Sequence, residues 1–261
     1  MELPLYQIDA FTDRLFGGNP AGVVPLRRWL PEKTLHAIAF ENNLPETAFF
    51  MTEGEGYRLR WFTPTVEVDL CGHATLASAY VIANFLQPER KEMWFETRSG
   101  RLTVTCQGDA FVLDFPVRPS QPIEAPAVGQ ALGVQPSDLL ASVPYLAIFD
   151  TWEQVAALKP DLAAVAALDL DGILATAPGR DGVDYVARYF APGAGIPEDP
   201  ATGSAQCVLM PYWAKRLGRT HLIGRQISQR IGDFECELVG NRVKIRGRAV
   251  CYLRGSIFVD G

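Results

Sequence analysis

Three side chains in this sequence have the chemistry needed to take a proton from carbon and return it: Glu46, His73 and Asp199. Such a transfer needs a group whose pKa is poised near the working pH, a condition that burial against apolar walls can create. Glu46 stands in Leu44-Pro45-Glu46-Thr47, at a junction leading into the apolar stretch Ala48 to Met51. His73 follows Cys71-Gly72 at the start of an apolar helical segment. Asp199 opens Asp199-Pro200-Ala201-Thr202-Gly203-Ser204 ahead of a second such segment. Helices beginning at Gly72-His73 and Gly203-Ser204 would present unsatisfied N–H groups and a partial positive charge, a seat for a carboxylate. Glycine at each entry lets the backbone come close. Simpler readings stay open. Glu46 could be a solvated loop residue, His73 a core histidine bonded to a carbonyl, Asp199 an N-cap with Pro200 at the first helical position, and Ser204 a residue that merely favours a first turn.

The elements that must place these groups occur twice. Tyr57, Arg60, Phe62 and Pro64 match Tyr185, Arg188, Phe190 and Pro192 at one constant offset, and Gly72-His73-Ala74 then lines up with Gly203-Ser204-Ala205. Arg98, Gly100 and Gly108 fall opposite Arg230, Gly232 and Gly240. We read one α/β unit used twice, as lobes 1–117 and 118–261, joined through the proline-rich segment Phe115 to Pro126, which cannot form a central strand. The last strand, about 249–261, could stay in the second lobe or return to the first. Small-molecule sites sit preferentially where lobes meet, so unlike groups from the two copies are expected to face one cleft.

Within the first copy the pattern predicts strands over 5–11 and 21–25, a helix from Pro31 to about Asn42, and a nearly all-apolar helix from His73 to about Asn84. Strands follow near 93–97, 102–107 and 110–115. Between the strands of the first copy, Gly17-Gly18-Asn19-Pro20 forces a tight turn, which is either only a turn or a close approach of backbone to ligand. The second copy should carry strands near 145–149 and 172–175 around a helical region from Thr151 to Leu168, then a helix from Ser204 to Leu217 that Pro211 would kink. Strands near 222–231, 234–239, 242–245 and 249–259 close it.

Composition removes several classes of function. With 24 basic and 30 acidic side chains the formal charge is −6, and no basic run interleaved with aromatics exists, so nucleic acid is not an expected partner. The longest apolar run, Ala74 to Leu86, falls short of the ~20 residues that cross a bilayer, and no secretory signal opens the chain. Five cysteines, an odd number without paired short spacings, point to a reducing, cytoplasmic setting. His36, His73 and His221 form no metal-binding spacing, so no metal is expected. Signatures for nucleotides, nicotinamide and serine hydrolysis are missing. A racemase with two thiols is disfavoured because Asp199-Pro200 stands where the second copy would need a partner for Cys71.

Taken together, Asp9 to Val23 (D-A-F-T-D-R-L-F-G-G-N-P-A-G-V), Asn43 to Phe49 (N-L-P-E-T-A-F), Arg60 to Thr75 (R-W-F-T-P-T-V-E-V-D-L-C-G-H-A-T) and Glu198 to Ala205 (E-D-P-A-T-G-S-A) resemble the phenazine-biosynthesis isomerase (PhzF-like) family, in the same order and over nearly the whole chain. The resemblance implies an α+β, diaminopimelate-epimerase-like fold: two pseudo-symmetric lobes, each a mixed sheet wrapped around a central buried helix, commonly in a homodimer. It also implies isomerisation of a small carboxylate substrate without a cofactor. By the same resemblance Glu46 is the proton shuttle, while His73, Asp199 and Ser204 orient the substrate. Backbone groups at Gly72 and Gly203 would bind its carboxylate, with Asn19 and Thr202 completing the candidate substrate-binding set. Pro45 departs from the small hydroxyl residue common in the family, so the namesake substrate does not follow. An amino-acid racemase or epimerase, and a non-catalytic ligand- or partner-binding protein on the same scaffold, remain as alternatives.

Overall fold

The computed structural model describes residues 1–260. The chain divides into two units, one formed by Met1–Asp114 together with the segment from Arg246 onward, the other by Phe115–Ile245. The first division therefore falls at 114/115 rather than at 117/118. The terminal segment groups with the first unit and not with the second.

In the first unit β1 (Glu2–Ala10), β2 (Asn19–Pro25), α1 (Glu32–Asn42), β3 (Glu46–Glu53), β4 (Gly56–Phe62), β5 (Glu67–Val68), α2 (Gly72–Val81), β6 (Glu92–Thr97), β7 (Gly100–Gln107) and β8 (Ala110–Pro116) follow in order. β2 pairs in parallel with β3, and β4 in parallel with β6. Parallel neighbours need a crossover, and here the crossovers are α1 and α2. Antiparallel ladders β1–β2, β3–β4, β6–β7 and β7–β8 complete a mixed sheet. Every residue of α2 except Tyr80 is buried, as an apolar perimeter requires of a helix enclosed by its own unit. Its regular hydrogen bonding ends in a π-turn over Ile82–Leu86.

The second unit contains β9 (Gln121–Pro122), α3 (Pro126–Leu132), β10 (Asp138–Ala141), β11 (Tyr145–Ile148), α4 (Trp152–Ala156), α5 (Leu162–Ala166), β12 (Ile173–Pro178), β13 (Tyr185–Ala191), β14 (Ile196–Asp199), α6 (Gln206–Leu217), β15 (His221–Gln226) and β16 (Gly232–Val239). The same grammar recurs. β11 pairs in parallel with β12 across α4 and α5, and β13 in parallel with β15 across α6. Matched side chains do matched work within each unit: Arg60 grips Glu67 through two nitrogens and lies over the Phe62 ring, and Arg188 grips Glu198 and lies over Phe190.

Several local expectations differ from the structure, each for a physical reason. The region 151–168 is two short helices, because Pro160 breaks it and both pieces have their own caps. Thr151 and Gln154 form a capping box, and the Asp161 carboxylate accepts from the N–H groups of Ala163 and Ala164. The proline-rich segment does pair, but only briefly at the edge, where Gln121–Pro122 meets β10. One strand, β17 (Arg242–Phe258), replaces the two expected near 242–245 and 249–259. Gly247 keeps it continuous, since a Cβ there would lie 2.4 Å from the Phe11 ring. As the sequence pattern predicts, α6 continues as one helix past Pro211. Proline leaves the carbonyl four residues earlier without its helical donor, and that carbonyl, Cys207 O, accepts instead from the backbone N–H of Arg118 at 2.9 Å. Among the described residues no helix is long and apolar enough to cross a membrane.

Candidate active site

Glu46 is the first residue of β3, opposite Ala21 of β2 in the parallel register. α1 ends at Asn43 in the left-handed conformation (φ 48°), which turns the chain sharply enough for Leu44-Pro45 to deliver Glu46 directly into the sheet. The side chain of Asn42 donates to Thr47 Oγ1 at 3.1 Å and fixes that corner. Glu46 is 8% exposed, so the reading of a solvated loop residue does not describe it.

His73 enters from the first turn of α2. Cys71 precedes the helix in extended conformation and caps no N–H with its side chain. The buried imidazole places Nε2 3.0 Å from Glu46 Oε2 and Nδ1 3.2 Å from Asn19 Nδ2. Cys71 Sγ lies 3.4 Å from the same Nδ1. The contact between Nε2 and Oε2 is a charge pairing more than a directed hydrogen bond, because Oε2 is buried without a donor aimed at it. Burial opposes the imidazolium, but the Cys71 sulfur and the Glu46 carboxylate outweigh it and hold the His73 pKa well above 6.5. Burial, reinforced by the Glu46 charge, pushes the Cys71 thiol up to about 11.

Asp199, Thr202, Gly203 and Ser204 lie in the second unit, at the end of β14 and in the loop and 3-10 turn that open α6. Asp199 is not an N-cap. The 3-10 turn starts at Gly203, and the Asp199 carboxylate instead accepts the hydroxyl hydrogen of Thr202. Asp199 and Thr202 are buried, whereas Ser204 is partly exposed.

Two supporting residues were not singled out from the sequence. Gln226, at the end of β15 and fully buried, accepts from Thr202 N at 2.8 Å and donates to Asp199 O at 2.5 Å and to Thr202 Oγ1 at 3.2 Å. Gln206, on the first turn of α6, accepts from Tyr185 Oη at 2.7 Å and donates to Thr202 O at 3.3 Å. The available signal for Gln226 was its position. Leu222, Gly224 and Gln226 alternate inward along β15, and a polar residue in an inward place needs partners.

In the first unit, then, Asn19, Glu46, Gly72 and His73 are brought together with Cys71. In the second, Asp199, Thr202, Gly203 and Ser204 follow one another and are braced by two glutamines. A buried carboxylate beside a stabilised imidazolium can exchange a proton with a bound molecule, and the uncapped start of α2 can receive an anion.

The comparisons with known proteins agree with this picture at the level of family and fold. The family model described as phenazine biosynthesis-like protein (PhzC-PhzF) matches residues 8–255. An uncharacterized isomerase of Pseudomonas aeruginosa is 46% identical over 98% of this chain and 99% of its own length. A crystal structure of a PhzF-family phenazine biosynthesis protein from Enterococcus faecalis superposes with a TM-score of 0.94 at 44% identity, covering 99% of this chain and 100% of that one. A probable proline racemase of Agrobacterium radiobacter, at 12% identity and a TM-score of 0.64 over 99% of this chain and 93% of its own, shares the fold alone. With an α+β, epimerase-like fold and a family match spanning nearly its full length, the chain belongs to the phenazine biosynthesis-like (PhzC-PhzF) family.

Proposed function

We propose that this protein is a cofactor-independent isomerase that moves a proton from one carbon to another of a small unsaturated carboxylic acid, with Glu46 as base and then acid. The observation that carries the proposal is the state of Glu46 Oε2, buried without a hydrogen-bond donor and 3.0 Å from His73 Nε2. An oxygen so placed is free to accept a proton from carbon. The imidazolium, kept charged by its surroundings, steadies the carboxylate between abstraction and return. N–H groups at Gly72 would hold the substrate carboxylate. Asp199, Thr202, Gly203 and Ser204 enter the proposal through the family resemblance, as substrate-orienting groups, and the Asp199 carboxylate is already poised as an acceptor by Thr202.

The test is solvent-deuterium exchange, followed by NMR, over a panel of small unsaturated carboxylic acids. The parent protein should label one of them, and Glu46→Gln should lower the rate by about 10²–10⁴-fold with ligand binding and fold retained. Undiminished labelling in the variant would remove Glu46 from the chemistry. Labelling confined to the α-carbon of amino acids would indicate racemisation, and tight binding without any labelling would indicate a receptor. The cytoplasmic setting and the homodimer belong to the same reading. Five unpaired thiols support the first, and exposed Phe16, Tyr252, Leu253 and Phe258 on the first unit offer an apolar surface for the second.

A further inference from the structure

The sheet of the first unit carries a group of arginines that the proton transfer does not use. Arg58 and Arg60 leave β4 on the face of Met51 and Phe49, their partners in β3, and this is the face on which Phe49, Phe62 and Met51 pack against Leu35 and Ile38 of α1. Glu46, at the other parity of β3, belongs to the opposite face, and Arg58 lies roughly 13 Å along β4 from Phe62, which pairs with Thr47. Trp29, Arg58, Leu59, Arg60 and Arg98 line a pocket of about 330 Å3. Two of its three guanidinium groups are engaged in part. Arg60 commits Nε and Nη2 to Glu67 and Glu32, leaving Nη1 out of that grip, and Arg98 commits Nη2 to Glu67. Arg58 is half-buried and has no ion-pair or hydrogen-bond partner among the described residues. The carboxylate beside it in the parallel register, Glu96, is drawn away by Arg101, whose Nε and Nη2 reach the same Oε1 at 2.6 and 2.5 Å. The other carboxylates at the rim, Glu32 against Arg60 and Asp69 at 3.7 Å from Arg98, have side chains 61% and 71% exposed, where water weakens their hold. A guanidinium with five donors is therefore left unmet in a pocket wall that contains no acid.

We propose that this pocket binds a small aromatic oxyanion, a phosphate or carboxylate group carried on a planar ring. Arg58 takes the oxyanion through its planar fork of N–H donors, the geometry that makes arginine the residue for two-point recognition of carboxylate and phosphate. Arg60 Nη1 and the exposed side of Arg98 add to the positive wall. The apolar part of the wall is chiefly Trp29, since Leu59 is 1% exposed. Arg60 lies over the Trp29 indole at 5.4 Å and over Phe62 at 5.0 Å, which holds both the indole and the guanidinium in place before a ligand arrives. The volume is at the lower end for small-molecule sites. It has room for a ring as well as its anionic group, and a bare phosphate would leave most of it to water. The site lies on the face of the sheet away from Glu46 and does not rest on the isomerase reading.

The experiment is titration of the full-length, 15N-labelled protein with phenyl phosphate, with benzoate and with inorganic phosphate, followed through the Trp29 indole N–H and the Arg58 Nε–H signals. Phenyl phosphate or benzoate should shift both signals to saturation, and whichever binds tighter tells a phosphate ligand from a carboxylate one. Arg58→Gln should weaken that binding about 10- to 100-fold with circular dichroism unchanged. Trp29→Leu is the second variant should Arg58→Gln not fold, and it should weaken the aromatic ligand about 2- to 12-fold while leaving inorganic phosphate as before. No saturable shift of the two signals, shifts confined to Gly72 and His73, undiminished binding in Arg58→Gln, or inorganic phosphate binding as tightly as phenyl phosphate each overturn the proposal. None of these readouts needs turnover, and Glu46→Gln should bind the aromatic anion at Arg58 as the parent does, so failure of the isomerase reading and failure of this site are told apart.

Discussion

Gln226 shows how one amide decides the hydrogen-bonding direction of a neighbouring group. Its Nε2 donates to Thr202 Oγ1, which occupies a lone pair of that hydroxyl, and the single hydroxyl proton is thereby left to point at Asp199 Oδ2. The carboxylate is thus held as an acceptor. Thr202→Val keeps the shape and removes that donor. A hydrogen bond to a charged group is worth about 1.5–3 kcal/mol, so the valine variant should lose about that much stability in urea denaturation while Thr202→Ser loses much less. Equal losses in both would show that packing, not the hydroxyl, matters there. At this scale the sequence was legible where a residue type is rare in its setting or sits in a specific motif, as with Glu46 and His73. It was silent on Gln226 and on the partnership of Cys71 with both, because one glutamine or one cysteine reads the same until folding gives it neighbours.

Among the elements, α6 carries a proline in its interior that neither ends nor divides it. The acceptor that Pro211 strands at Cys207 is satisfied by the N–H of Arg118, distant in sequence. A buried carbonyl left without a partner costs about 1–3 kcal/mol. Arg118→Pro, which deletes that N–H, should therefore destabilise the parent by about this amount, and less when Pro211→Ala has restored a helical donor. A double-mutant cycle by chemical denaturation measures the difference, and strict additivity would refute the link. Most strands and the helices between them were readable from the alternation of apolar runs and turn residues, whereas which strands pair in parallel was not. The split at Pro160 and the unbroken run of β17 were not. The first depends on two local caps, and the second on the space that Gly247 leaves for Phe11.

For the molecule as a whole, the duplicated order of elements was the most legible feature, because offsets between Tyr57 and Tyr185 or Arg60 and Arg188 survive in side chains that perform the same task in each copy. The unit boundary was harder to place, since β17 (Arg242–Phe258) changes membership along its length and no residue marks the change. That shared strand makes the second unit a contiguous insertion between Asp114 and Arg246, while the first is stitched from two pieces. β1 takes its outer ladder from the returning piece, from Ala10 opposite Ala249 to Glu2 opposite Phe258. A fragment spanning 115–245 should accordingly fold alone, with a cooperative thermal transition by circular dichroism. A fragment spanning 1–114 should stay unstructured until a synthetic peptide of 246–260 is added, and then gain ellipticity. The gene can in effect be cut at two points to yield a host that is completed in trans and a guest that travels by itself.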